Sequence, residues 1–190
     1  EHLRKITEMT EKALEKSGLE LKDINFIAST SEPGLIGAIL IGLNFAKSLA
    51  ASLNVPFVPV NHIHAHLYSA FLGNDKPQFP FLALIVSGGH TLLVLVEDFF
   101  KHKILGTTID DAVGEAFDKA AKMMGLGYPG GPLIDKYAKN GDINYRKFPI
   151  AQLKNSKYNF SFSGLKTSVL YFLKEIEYEK NKSDELISSI

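Results

Sequence analysis

The chain has 190 residues, of which 45% are hydrophobic and 22% charged, and its 21 basic and 21 acidic residues leave a formal net charge of zero. That length supports an ordinary core in one domain or two small lobes, and the balance excludes a chain uniformly coated for nucleic acid. Cysteine is absent, which excludes a disulfide framework, a thiolate metal site and a thiol nucleophile, and suits a reducing, cytoplasmic setting.

Leu3, Ile6, Met9, Ala13 and Leu14 recur at helical spacing up to Gly18, a residue suited to the position just past a helix end. This stretch mixes acidic and basic residues, so it reads as an amphipathic helix and not as a secretion signal. A start on Glu1 marks the sequence as cut from something longer. INFIAST (24–30) predicts a short buried strand, 35–53 a helix packed on a sheet, and VPFVPV (55–60) a second strand whose prolines favour an edge. Strand, helix and strand in that order predict a βαβ unit with parallel pairing. No apolar run approaches the ~20 residues of a membrane span, so no membrane partner is expected.

Residues 61–70, NHIHAHLYSA, hold three of the six histidines. On a strand, His62, His64 and His66 would share one face; on a helix, His62 and His66 share a face and His64 points away. Leu67, Ala70 and Phe71 follow at helical spacing, which predicts a helix over 62–71 starting at the strand's carboxyl end, where ligand sites of open α/β sheets lie. His62 and His66 then form an i, i+4 pair able to offer two imidazole nitrogens to a metal; histidines that only satisfy local hydrogen bonds are the other reading. Ile63 stands where a zinc peptidase HExxH motif needs its glutamate base, which argues against a metallopeptidase.

A polar connector, GNDKPQ (73–78), separates two lobes, 1–75 and 76–190. In the second, two apolar β-rich runs flank Ser87, Gly88, Gly89 and His90, predicting an antiparallel hairpin. Its glycines would let backbone N–H groups approach an anion, or would simply make a turn. DDAVGEAFDKAAKMMGLG (110–127) predicts a helix with an acidic start and a glycine end. YPGGP breaks the chain, and a helix restarts over 133–139. The second half of FSFSGLKTSVLYFLKEIEYEK is helical, and KNKSDE precedes a last partial helix. Lys166 falls at a predicted helix start, where its charge opposes the helix dipole, so an anionic ligand or a carboxylate partner is expected beside it. Residues 136–174 carry eight basic residues against Asp142 alone, interleaved with aromatics. Such a stretch can track a phosphate backbone and stack bases, or can be a solvated face over core aromatics.

HIHAH, VSGGHT, DDAVGEAFDKAAKMMGLGYPGGP and FSFSGLKT, in this order and spacing, resemble the tRNA N6-adenosine threonylcarbamoyltransferase family, once described as O-sialoglycoprotein endopeptidases. The resemblance runs over essentially the whole chain. It implies an α/β protein with parts of two actin-like lobes, the fold of sugar kinases and heat-shock ATPases, and a cleft between them. It implies transfer of threonylcarbamoyl from its adenylate to the adenine N6 beside the anticodon. His62 and His66 match the paired ligands of one divalent metal, iron or zinc, whose implied role is as a Lewis acid on the attacked carbonyl. Ile85, Val86, Ser87, Gly88 and Gly89 match the segment that holds the adenylate's phosphate and carbamoyl group. Asp118, Gly131 and Asp135 match nucleoside contacts.

The family's T-x-G-P-G-L loop here reads Thr30-Ser31-Glu32-Pro33-Gly34-Leu35, so Glu32 puts a carboxylate where a glycine is usual. The resemblance also implies segments beyond both ends, among them an aspartate as third metal ligand. Expected partners are tRNA, contacted by Arg146, Lys147, Lys154 and Lys157, and subunits that make or protect the adenylate, including an actin-like paralogue. The competing reading is a non-catalytic actin-like scaffold lobe that pairs with a catalytic relative.

Overall fold

A computed structural model of the chain describes residues 2–154 and 156–190. The protein is α/β, with one parallel and one antiparallel sheet, and divides into two compact units, one running to Pro77 and the other from Gln78 to Ile190.

The first unit comprises α1 (His2–Ser17), β1 (Ile27–Glu32), α2 (Ile36–Leu53), β2 (Phe57–Asn61) and α3 (His62–Ser69). Gly18, in the left-handed region at φ 68°, ends α1. β1 and β2 pair in parallel from Ile27 opposite Phe57 to Thr30 opposite Val60, which is the βαβ unit expected. β1 lies three residues later than its apolar run predicts at the start, because Leu21–Asp23 forms a 3-10 turn that Ile24 caps. α2 packs on β1 through its small residues: Ala46 and Ala50 are buried, and a side chain at Gly42 would sit 3.6 Å from Ser29 Oγ. Asn54, at φ 53°, ends the helix by donating its N–H to Ala50 and Ala51.

α2 corrects one expectation. With 18 residues and Lys47 as its lone charge, it is long and apolar enough to cross a membrane by length and composition. Three isoleucines and four leucines carry that apolarity, two of them, Ile36 and Leu40, exposed, and Lys47 lies 5.8 Å over the Phe57 ring.

The second unit opens with a meander of β3 (Phe81–Val86), β4 (Thr91–Asp98) and β5 (Lys101–Thr107). β4 is central and its Val94 and Val96 are fully buried. β5 escaped the sequence reading; its turn from β4 uses Phe99 and Phe100, the latter at φ 59°, instead of glycine or asparagine. Residues 158–160 then run along β5: Thr107 N–H donates to Asn159 Oδ1 at 3.1 Å, and Phe160 N–H to the Thr107 carbonyl at 3.0 Å. Helices α4 (Val113–Met123), α5 (Gly130–Ala138), α6 (Ser163–Glu175), α7 (Tyr178–Asn181) and α8 (Asp184–Ser189) complete the unit. They enclose a core of Met124, Val169, Leu173, Tyr178 and Ile187. The buried Tyr178 hydroxyl donates to the Met124 carbonyl at 3.0 Å, and burial pushes its pKa up.

Candidate functional site

In the first unit, Asn61 closes β2 and starts α3 at once. Its side-chain oxygen accepts the N–H groups of Ile63 at 2.9 Å and His64 at 3.1 Å, two donors a helix start leaves open. The strand-face arrangement of three histidines is thereby excluded. His62 and His66 meet edge to face, with ring centroids 4.5 Å apart and Nε2 atoms 3.1 Å apart. Two nitrogens each about 2.0–2.1 Å from a tetrahedral metal are separated by roughly 3.3 Å, so the pair has the spacing a shared cation requires. Without a cation, one Nε2–H donates to the other nitrogen. His64, half-buried, lies on a different face of the helix. Among the described residues no three His, Cys, Asp or Glu side chains converge as a metal cluster.

In the second unit the hairpin turn is closed on itself. Ser87 N–H donates to the His90 carbonyl at 2.9 Å. The N–H groups of Gly89 and His90 donate to Ser87 Oγ at 3.3 and 2.9 Å, so an anion would have to displace the hydroxyl to receive them. Gly88 and Gly89 face open space, and a Cβ at either would meet nothing within 4 Å; the protein's own packing does not demand glycine at either place. Ile85 is buried and Val86 exposed, as alternate residues of β3. The turn is seated on the start of α4. There the buried Thr91 hydroxyl accepts the Val113 N–H at 2.9 Å, and a Cβ at Gly114 would meet the Ser87 carbonyl at 2.6 Å.

Asp118 projects from α4 to α5, where its Oδ1 accepts the Gly130 N–H at 2.6 Å. The helix predicted from residue 133 therefore begins earlier, its first turn fixed by a carboxylate twelve residues upstream. Gly131 is the next residue, and a Cβ there would meet nothing within 4 Å. Asp135 sits one turn on, exposed and paired with Lys139 at 3.3 Å. Asp118 and Gly131 are thus brought together and Asp135 follows along the same helix. A pocket of about 530 Å³ opens beside Asp118, lined also by Glu115, Lys119, Lys122, Gly125 and Tyr128.

Sequence reasoning missed a carboxylate network. Asp110 and Asp111 precede α4 instead of starting it. Asp110 accepts from Ser161 Oγ and from the N–H groups of Phe162 and Ser163. Burial opposes its ionisation, but these bonds together hold its pKa below the ordinary value. Asp111 accepts from Lys119 at 2.8 Å and Lys166 at 3.1 Å, and first Lys119, then Lys166, lowers its pKa. The same pairing raises that of Lys119. Lys166 has found the carboxylate its placement called for. A folded pKa below the unfolded value gives stability that is present above the unfolded value, near 3.9, and lost as pH falls through the folded one. Thermal melts should therefore decline below about pH 4. Asp111→Asn should cost about 1–2 kcal/mol at pH 7 and make that decline shallower. Equal pH profiles for variant and wild type would remove Asp111 from the acid response.

Of the basic residues, Arg146 lies 4.6 Å over the Phe172 ring and 3.7 Å from Glu175, while Lys157 lies 5.6 Å over Tyr158. Lys147 and Lys154 are exposed.

The family model described as tRNA N6-adenosine threonylcarbamoyltransferase matches residues 1–188. Curated relatives carry the same description. One from Christiangramia forsetii is 53% identical over 175 residues, which cover 90% of this chain and 51% of the relative. One from Kosmotoga olearia is 52% identical, covering 91% and 52%, and one from Clostridioides difficile 50% identical, covering 98% and 54%. The chain spans about half the length of the curated relatives it matches. Among solved structures, YeaZ from Pseudomonas aeruginosa aligns with a TM-score of 0.42 and 11% identity over 92% of this chain and 78% of that one, a likeness too loose to carry an argument.

Proposed function

This chain belongs to the tRNA N6-adenosine threonylcarbamoyltransferase family, and on that premise we propose that it supplies the metal ligands and adenylate contacts for threonylcarbamoyl transfer to tRNA. In the reaction the N6 amine of the adenine adjacent to the anticodon attacks the carbamoyl carbonyl of threonylcarbamoyl-adenylate. The new C–N bond forms, the bond from that carbon to the phosphate oxygen breaks, adenylate leaves, and the amine loses a proton.

The observation that carries this reading is the His62–His66 pair, two Nε2 atoms 3.1 Å apart at the carboxyl end of a parallel strand. The pair would hold one divalent cation, iron or zinc, which when bound supplies Lewis-acid polarisation of the carbonyl. In the other unit, the open space at Gly88 and Gly89 supports a role for residues 85–89 in receiving the phosphate and carbamoyl group. Asp118 keeps one carboxylate oxygen beyond its bond to Gly130, and with Gly131 and Asp135 it would contact the nucleoside. The setting is the cytoplasm, with tRNA, subunits that make or protect the adenylate, and an actin-like paralogue as partners.

The test is transfer of label from threonylcarbamoyl-adenylate to tRNA by the metal-loaded full chain with its partner subunits. Modified adenosine is expected. Binding of tRNA and adenylate without transfer would turn the assignment to a scaffold lobe.

Salt dependence tests the tRNA contacts. Four phosphate contacts, from Arg146, Lys147, Lys154 and Lys157, give a slope of log affinity against log salt of about −3. Reversing Arg146 and Lys147 should remove roughly half of that slope and leave adenylate affinity unchanged, because exposed charges are screened beyond about 10 Å. Lys147→Glu alone is the cleaner variant, since Arg146 also packs on Phe172. Binding insensitive to salt and to these reversals would assign tRNA docking to partner subunits.

A further inference from the structure

α4 runs from the glycine turn to the YPGGP loop. At its start a Cβ at Gly114 would meet the Ser87 carbonyl carbon at 2.8 Å and Gly88 Cα at 2.9 Å, so the turn lies directly on the helix. Asp118 follows one turn on, about 6 Å along the axis, and Lys122 after about 12 Å. Spaced four apart, residues 114, 118 and 122 lie along one side of the helix. Past Met123 the chain reverses. The N–H groups of Gly125 and Leu126 donate to the Lys122 and Ala121 carbonyls at 3.1 and 2.9 Å. Gly125 and Gly127 take left-handed backbone at φ 68° and 104°, and Gly130 closes the loop against Asp118. The reversal puts Tyr128 in one pocket with Asp118, Lys122 and Gly125, about 530 Å³ in volume.

Tyr128 is 83% exposed, and among the described residues its side chain makes no ring contact and no hydrogen bond. A single exposed aromatic is ordinary on a protein surface. This one stands on a loop pinned at both ends, in the pocket that Asp118 shares. The layout along α4 follows the order of a nucleotide's parts. A turn of backbone N–H groups suits a phosphate, a carboxylate one helical turn away suits ribose hydroxyls, and the pocket that holds an aromatic ring continues to the helix end. We propose that the Tyr128 ring stacks on the adenine base of threonylcarbamoyl-adenylate, a base contact added to the nucleoside contacts of Asp118, Gly131 and Asp135. Stacking uses the face of the ring and not its hydroxyl. The inference rests on the adenylate reading of that site.

The test is calorimetric titration of the full chain with adenosine monophosphate and with ribose 5-phosphate, the same ligand without its base, for the wild type, Tyr128→Phe and Tyr128→Ala. Removing an aromatic partner from a stacked base weakens binding about 5- to 150-fold. Tyr128→Ala should show that loss for adenosine monophosphate, Tyr128→Phe should bind it as the wild type does, and ribose 5-phosphate should not distinguish the three proteins. Melting temperatures without ligand should stay at the wild-type value, because the ring is exposed. If Tyr128→Ala binds adenosine monophosphate as tightly as the wild type, the stacking proposal falls and the nucleoside reading of Asp118 stands. If Tyr128→Phe is as weak as Tyr128→Ala, the contact belongs to the hydroxyl and stacking is overturned. Equal loss of both ligands in Tyr128→Ala would overturn the base contact. If the wild type binds no adenosine monophosphate, the nucleoside reading falls with the proposal.

Discussion

Alanine at His62 or at His66 is expected to take bound divalent metal from one equivalent per chain to a trace, and His64→Ala to leave it in place. The Nε2 atoms of the pair, 3.1 Å apart, are set by α3 and by the Asn61 cap that starts it, so each ring is held for the other. Removing one leaves a single imidazole, and the affinity loss should exceed the ~100-fold that loss of a supporting group causes. Transfer activity should fall with the metal by about 10³-fold or more, since Lewis-acid stabilisation of the developing charge contributes several kcal/mol. Metal content after dialysis is the primary measurement. His64 is half-buried, so its variant needs a matching melting temperature before it serves as the control. Metal retained in His66→Ala would defeat the pairing, and metal lost from a well-folded His64→Ala would place the site on another face of α3.

The histidine helix was legible because its determinants are local. Asn61 is a helix-capping residue type, and Leu67, Ala70 and Phe71 show which residues continue the turn. The βαβ unit was legible for the same reason. Where the deciding partner is distant, the reading failed. β1 ends in the polar residues Ser31 and Glu32, which no apolar criterion assigns to a strand; the Ser31 hydroxyl donates to the Val60 carbonyl across a break in register, and Glu32 pairs with Asn61. β5 carries Lys101, His102 and Lys103, and its turn at Phe100 lacks the glycine or asparagine that marks a hairpin. Asp110 and Asp111 look in sequence like the acidic first turn of α4, yet Asp110 binds Ser161, and Asp111, besides Lys119 on α4, binds Lys166; Ser161 and Lys166 lie more than fifty residues away. The glycine turn was legible as a turn, but the grip of Ser87 Oγ on two of its N–H groups depends on a side-chain rotamer no pattern records. For α2 an uninterrupted apolar run is too strict a criterion, since its lone Lys47 does not break a helix-long apolar stretch.

Gly130→Ala and Gly131→Ala, one residue apart, are expected to separate packing from ligand contact. At Gly130 a Cβ would lie 2.6 Å from Asp118 Cα, 2.7 Å from Ala121 Cβ and 2.7 Å from the Phe117 carbonyl. None of these atoms can swing away, so α5 must retreat from α4 by most of an ångström. That retreat also breaks the 2.6 Å bond from Gly130 N–H to Asp118, leaving a part-buried carboxylate oxygen without its donor. Overpacking and the lost bond together should cost about 2–4 kcal/mol and lower the melting temperature by roughly 5–15 °C. Gly131 lies in the same first turn, but a Cβ there meets nothing within 4 Å and its φ is not in the left-handed region. Alanine should therefore raise helix stability by a few tenths to about 1 kcal/mol. If the Gly131 backbone approaches the nucleoside, the added methyl occupies the ligand's space. Adenylate affinity should then fall about tenfold or more while the melting temperature holds or rises, since 1.4 kcal/mol of lost contact is a factor of ten. Calorimetric binding of adenylate to both variants supplies the comparison. A Gly131→Ala protein that binds adenylate as tightly as wild type would remove Gly131 from the nucleoside contacts, whatever happens at Gly130.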